Sequence, residues 1–120
     1  MLEDGKPLFL QIAEMIENSI IDRSLPEDTQ APSSNELAAF HRINPATAAK
    51  GLNQLVSDGI LYKKRGIGMF VTVGARDALR LRRRERFAQL YIDPLIAEAG
   101  KLGVGIDELK AMLDQREGTL

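Results

Sequence analysis

Apolar residues recur at helical spacing through Leu8, Ile12, Met15, Ile16 and Ile20, which predicts a first helix of about four turns beginning after Pro7. Leu25-Pro26 ends the stretch that follows. The pattern resumes at Pro32-Ser33-Ser34-Asn35-Glu36. Ser33 is placed to accept from an early backbone N–H while Glu36 reaches back, a capping box for a second helix. Leu37, Ala38 and Phe40 form its expected apolar side. His41-Arg42-Ile43 break the periodicity and Asn44-Pro45 restart it, because Asn is a favoured N-cap and Pro suits the first helical position. On a helical wheel the third helix places Ala48, Leu52, Leu55 and Val56 on one side and Ala46, Thr47, Lys50 and Gln54 on the other. Asp58-Gly59 ends it. Residues 60–64 and 69–73 then read as two strands around Arg65-Gly66-Ile67-Gly68, whose glycines permit a tight turn and close backbone approach.

Beyond Gly74 the periodicity is helical again. A long helix from near Arg76 carries Phe87, Leu90, Tyr91, Leu95 and Ile96, with a kink expected at Pro94, which lacks a donor and crowds the preceding turn. Gly100, Gly103 and Gly105 interrupt the chain, and Asp107 is expected to cap a last helix bearing Leu109, Met112 and Leu113.

Helix, short turn, helix and glycine hairpin, in that order, make a winged helix-turn-helix, in which the short turn forces the two helices to cross steeply. The expected fold class is α+β, mostly helical. Residues 1–74 are read as the winged helix-turn-helix domain and residues 75–120 as a short two-helix module. Two helices cannot bury Phe87, Leu90, Tyr91, Leu95, Leu109, Met112 and Leu113 within one chain, so this stripe is expected to meet the same stripe of a second copy in a homodimer.

Charge sharpens the picture. The 120-residue chain has a formal charge of -1. Residues 60–86 nevertheless hold nine basic and two acidic side chains, a stripe suited to polyanions that a sequence pI near 5.8 conceals. With no Cys and one His, disulfides and thiol chemistry are excluded, and neither a metal nor a cofactor is expected. Ser33-Ser34 has no His nearby and no carboxylate pair stands out, so the chain is not read as an enzyme. The acidic start Met1-Leu2-Glu3-Asp4 and the lack of a long apolar run give no signal peptide and no membrane partner, hence an expected cytoplasmic location.

The sequence resembles the GntR family of bacterial transcription regulators, and within it the small YtrA-like subfamily. The resemblance is carried by Pro7-Leu8-Phe9-Leu10-Gln11-Ile12, Pro32-Ser33 with Glu36-Leu37-Ala38, Asn44-Pro45-Ala46-Thr47, Asp58-Gly59-Ile60-Leu61 and Lys64-Arg65-Gly66-Ile67-Gly68-Met69-Phe70-Val71. It implies a transcriptional regulator, with repression the expected sign, that binds an inverted-repeat operator in double-stranded DNA as a homodimer. Asn35 stands where many members carry an arginine, and Pro45 and Ala49 occupy positions often arginine in other subfamilies, so base preference is not carried over.

Candidate DNA-binding residues are Ser33, Asn35, Asn44, Ala46, Thr47, Lys50, Lys64, Arg65, Gly66 and Gly68. Each has a duller alternative. Lys50 elsewhere would be a solvated surface lysine, Thr47 and Asn35 could serve helix starts alone, and Lys64 and Arg65 could be charges that discourage edge pairing. Arg80, Arg82, Arg83, Arg84 and Arg86 share no single helical face and read as a solvated surface that raises the local potential. Tyr62 and Phe70 read as packing residues, and His41 as a turn residue. A winged helix serving as a protein or RNA adaptor would carry apolar anchors where Thr47, Lys50 and Gln54 stand. A small-molecule effector, if one acts, is expected at the dimer junction near Arg83, Tyr91 and Pro94; regulation without any ligand is the alternative.

Overall fold

The computed structural model describes residues 5–118. They form two compact units, divided after Leu81.

In the first unit, α1 (Leu8–Ile21) buries Gln11, Ile12, Ala13, Ile16 and Ile20. Of the stripe the spacing predicts, Ile12, Ile16 and Ile20 are buried while Leu8 and Met15 are exposed, because the buried face is turned toward Gln11 and Ala13. α2 (Ser34–His41) is held by the full capping box: Glu36 N–H donates to Ser33 Oγ at 3.1 Å and Ser33 N–H to Glu36 Oε1 at 3.0 Å. Those bonds favour the charged carboxylate and lower the Glu36 pKa. The helix stops because Arg42 turns left-handed, with φ 56°, while the Arg42 and Ile43 N–H groups both return to the Ala38 carbonyl. α3 (Pro45–Ser57) restarts at once, its Asn44 cap accepting from Ala46 N–H at 2.8 Å. Its buried face is Ala48, Gly51, Leu52 and Leu55, with Val56 packed partly against it. Gly51 lets α3 lie on α1: a Cβ there would stand 2.7 Å from the Phe9 carbonyl oxygen.

β1 (Leu61–Lys64) pairs antiparallel with β2 (Gly68–Val71), Tyr62 opposite Phe70. The strands are shorter than expected at their outer ends: past Leu61 and Val71 the pairing goes on only through Thr72 N–H, which donates to the Ile60 carbonyl opposite it, and Val73 is exposed. Residues 28–31 pair along the other edge of β2. Asp28 N–H donates to Val71 O, Val71 N–H to Thr29 O, and Ala31 N–H to Met69 O, at 2.8–3.0 Å. One core of Ile12, Ile20, Leu55, Leu61, Val71 and Leu79, all nearly inaccessible, joins these elements.

Other expectations change as well. Phe40, read as part of the apolar side of α2, is 82% exposed; the helix is only eight residues long and Leu37 with Ala38 satisfies its contact with the core. The boundary expected after residue 74 moves to after Leu81, because α4 (Ala75–Phe87) buries Ala75 and Leu79 in the first unit's core. Glu27 fastens the start of that helix, its carboxylate accepting from Gly74 N–H at 2.9 Å and Arg76 N–H at 3.1 Å.

Two further changes lie in the second unit. Pro94 does not simply kink a long helix: a π-helical turn, Ala88–Ile92, precedes α5 (Asp93–Leu102), and Asp93 N–H reaches back five residues to the Ala88 carbonyl. The widened turn admits a residue with no N–H to give. Gly103, with φ 72°, closes α5. α6 (Ile106–Glu117) is entered from Gly105 with no side-chain cap, so Asp107 lies inside the first turn, where its charge suits the helix dipole, and is not the cap. Of the second unit's described hydrophobic residues Ala99 alone is buried. Phe87, Leu90, Tyr91, Leu95, Met112 and Leu113 are exposed and Leu109 is half-buried.

Candidate nucleic-acid interface

Capping at both helix starts fixes where α3 begins, and therefore which side chains face outward. Ala46, Lys50, Asn53 and Ser57 are exposed, at spacings of three and four that align them on one face. Thr47 and Gln54 are half-buried beside it, and Gln54 Nε2 donates to Asp58 Oδ1 at 3.1 Å. The outward face is therefore centred on Lys50 and Asn53. Asn53, seven positions after Ala46 on the wheel, takes the place on this face that the sequence reading gives to Gln54. Lys50 Nζ lies 4.2 Å from the centroid of the Phe9 ring, which α1 contributes.

Ser33 and Asn44 have their side-chain oxygens committed to helix caps. Asn35 is exposed on the first turn of α2. His41, at the end of that helix, meets the exposed Phe40 ring edge-on at 4.9 Å.

The hairpin tip is built by two glycines and one glutamine. Gly66 has φ 78° and Gly68 φ 147°, both in the region that disfavours side chains. Ile67 N–H closes the turn on the Lys64 carbonyl at 3.0 Å. Gln30, from the edge segment, donates from Nε2 to the Ile67 carbonyl at 3.1 Å, and a Cβ on Gly68 would stand 2.5 Å from that nitrogen. No local signal marks Gln30, since its partner is 37 residues away. Lys64, Arg65 and Gly66 are exposed and Ile67 is 63% exposed, so the tip presents two positive charges followed by bare backbone.

Below the tip Tyr62 and Phe70 stack with centroids 5.9 Å apart, and Lys64 Nζ sits 4.2 Å from the centre of Phe70. Tyr62 OH donates to Asp28 Oδ1 at 2.6 Å, a bond that raises the phenol's pKa. These aromatics pack as expected. Among the described residues no group of His, Cys, Asp and Glu could hold a metal ion, and no helix is long and apolar enough to cross a membrane.

Comparison with known proteins agrees with this geometry. Residues 8–71, more than half of the chain, match the family model for bacterial regulatory proteins of the gntR family. The HTH-type transcriptional repressor YtrA of Bacillus subtilis is 29% identical over 111 residues, covering 88% of this chain and 85% of YtrA. A transcriptional regulator from Oenococcus oeni superposes with a TM-score of 0.76 at 27% identity, covering 96% of this chain and 94% of that one. The DNA-binding domain of AraR, solved in complex with operator ORR3, is 32% identical with a TM-score of 0.55, covering 60% of this chain and 87% of that one. The protein belongs to the GntR family of DNA-binding transcriptional regulators, and its YtrA-like branch fits the chain over nearly its whole length.

Proposed function

We propose that the protein binds an inverted-repeat operator as a homodimer and represses transcription from it. In this reading α3 enters the major groove and the tip at residues 65–68 lies over the minor groove. The observation that carries it is the outward face of α3, with Lys50 and Asn53 exposed on a helix whose start, like that of α2 before it, is fixed by a side-chain cap. The local charge of residues 60–86 and the glycine tip support the groove contacts. The repressor name of YtrA and the operator in the AraR complex, which are facts about those proteins, support the sign and the target. A homodimer would cover the exposed Phe87, Leu90, Tyr91, Leu95, Met112 and Leu113 together with half-buried Leu109, and apolar side chains gathered on one module are what an interface with another chain takes up.

Footprinting on DNA upstream of the protein's own gene tests this reading. Protection of two half-sites about one helical turn or a multiple apart is expected. Lys50→Ala should cost about 1–3 kcal/mol at the cognate site, whereas Lys64→Ala should weaken all sequences alike and reduce the salt slope by about one. An active preparation that protects no upstream duplex would overturn the proposal.

The π-helical turn Ala88–Ile92 favours a second reading, ligand control, because such turns recur at functional sites. An effector would then seat at the dimer junction near Arg83, Tyr91 and Pro94. Thermal-shift screening with metabolites of the neighbouring genes, followed by operator titration, tests it: a ligand that stabilises the dimer without changing operator affinity counts against a switch.

A further inference from the structure

Both lysines assigned to DNA rest on aromatic rings. Lys50 Nζ is 4.2 Å from the Phe9 centroid and Lys64 Nζ is 4.2 Å from the Phe70 centroid. The two rings come from different elements, α1 and β2, and both are half-buried. An ammonium on a ring face is attracted by the quadrupole, and its N–H groups directed away from the ring remain available to acceptors. A free lysine side chain must give up considerable rotamer freedom when it engages DNA. One already seated has given up much of it.

We infer that Phe9 is a positioning residue for DNA binding: it holds Lys50 on the outward face of α3 in the orientation that meets the groove. Phe9 needs no contact with DNA for this. α1 lies outside the helix-turn-helix, and the close approach of Gly51 to the Phe9 carbonyl fixes the ring beside the recognition helix. The Phe70 seat under Lys64 repeats the device on the wing. The inference rests on Lys50 contacting DNA.

The test is a double-mutant cycle in the full-length protein, read as affinity for the footprinted operator. Phe9→Leu keeps apolar bulk but removes the quadrupole, and Phe9→Met serves if the leucine variant does not fold. Either should weaken binding about two- to fivefold, the range set by an exposed cation–π contact. The salt slope should not change, because the lysine charge is retained. In a Lys50→Ala background the same substitution should have no further effect. In the free protein the Lys50 ε-methylene protons should be shifted upfield by the ring and return to ordinary positions in Phe9→Leu. If Phe9→Leu leaves affinity unchanged while Lys50→Ala weakens it, the positioning role is refuted and the lysine's contact with DNA stands. If Lys50→Ala is itself silent, both are refuted. A loss on Phe9→Leu that persists without Lys50 assigns Phe9 a different role and also overturns the inference.

Discussion

At the scale of single residues, two positions that attract no notice in the sequence hold neighbouring elements together. Gly51 sits inside the continuous helix α3, where an alanine would favour the helix by about 1 kcal/mol. A Cβ there would meet the Phe9 carbonyl oxygen at 2.7 Å and Ile12 side-chain carbons at 3.2 Å, and a backbone oxygen cannot rotate aside. Overpacking of this kind costs about 1–3 kcal/mol, so the clash outweighs the propensity gain. Gly51→Ala should lower Tm by several degrees in a thermal melt; a rise would mean that α1 and α3 are not in close contact. Glu27 is the second such residue. Its bonds from Gly74 and Arg76 N–H hold its carboxyl below the usual glutamate pKa, with the Arg76 charge a smaller contribution. A lowered folded-state pKa means stabilisation that is complete above the unfolded value of about 4.3 and fades as pH falls through the lowered one. Glu27→Gln should therefore be less stable near neutrality, with the difference from wild type shrinking in acid. Urea midpoints measured from pH 7 downward check this, and a constant difference would contradict it.

Elements are where the sequence was most readable. Ser33→Ala removes the acceptor for Glu36 N–H and, with it, half of the capping box. Losses of about 0.5–2 kcal/mol are usual for such caps. Helix α2 is too short to stand without help from its ends, so denaturant unfolding should show a loss in that range, and Ser33→Asp should restore most of it. The capping box, the Asn44-Pro45 restart and the glycine turn were legible because each is a contact between residues no more than four apart, governed by residue type alone. What escaped was non-local. The pairing of residues 28–31 with β2, the Gln30 bond to the wing tip, the Phe9 ring under Lys50 and the Glu27 carboxylate at the start of α4 all join residues far apart in sequence. Phe40 departs from its periodicity for a related reason. Periodicity assigns apolar residues to a buried side, but a helix of eight residues offers the core little more than Leu37 and Ala38. Pro94 was recognised as an obstacle, yet how the backbone yields, by widening into a π turn, depends on a hydrogen-bond register that no residue type specifies.

For the molecule as a whole, the decisive fact is that the first unit ends inside α4 and not before it. Ala75 and Leu79 complete the core that Leu55, Leu61 and Val71 share, so a fragment ending at Val73 would leave that core open. Losing a fully buried leucine costs about 2–5 kcal/mol, a large part of the 5–15 kcal/mol that stabilises an ordinary domain. The same chain cut after Leu81 keeps both residues and should unfold cooperatively. That fragment lacks Phe87, Leu90, Tyr91 and everything beyond, the exposed apolar residues proposed to join two copies. It should therefore sediment as a monomer. Each half-site would then be bound alone, without the gain of about 10²–10⁴ that linkage between two sites supplies, and operator affinity should fall accordingly while the groove contacts of α3 persist. Circular dichroism melts, sedimentation and operator titration on the two fragments separate the possibilities. A fragment ending at Leu81 that still dimerises would move the interface into the first unit, and one ending at Val73 that melts like it would remove Ala75 and Leu79 from the account of its stability.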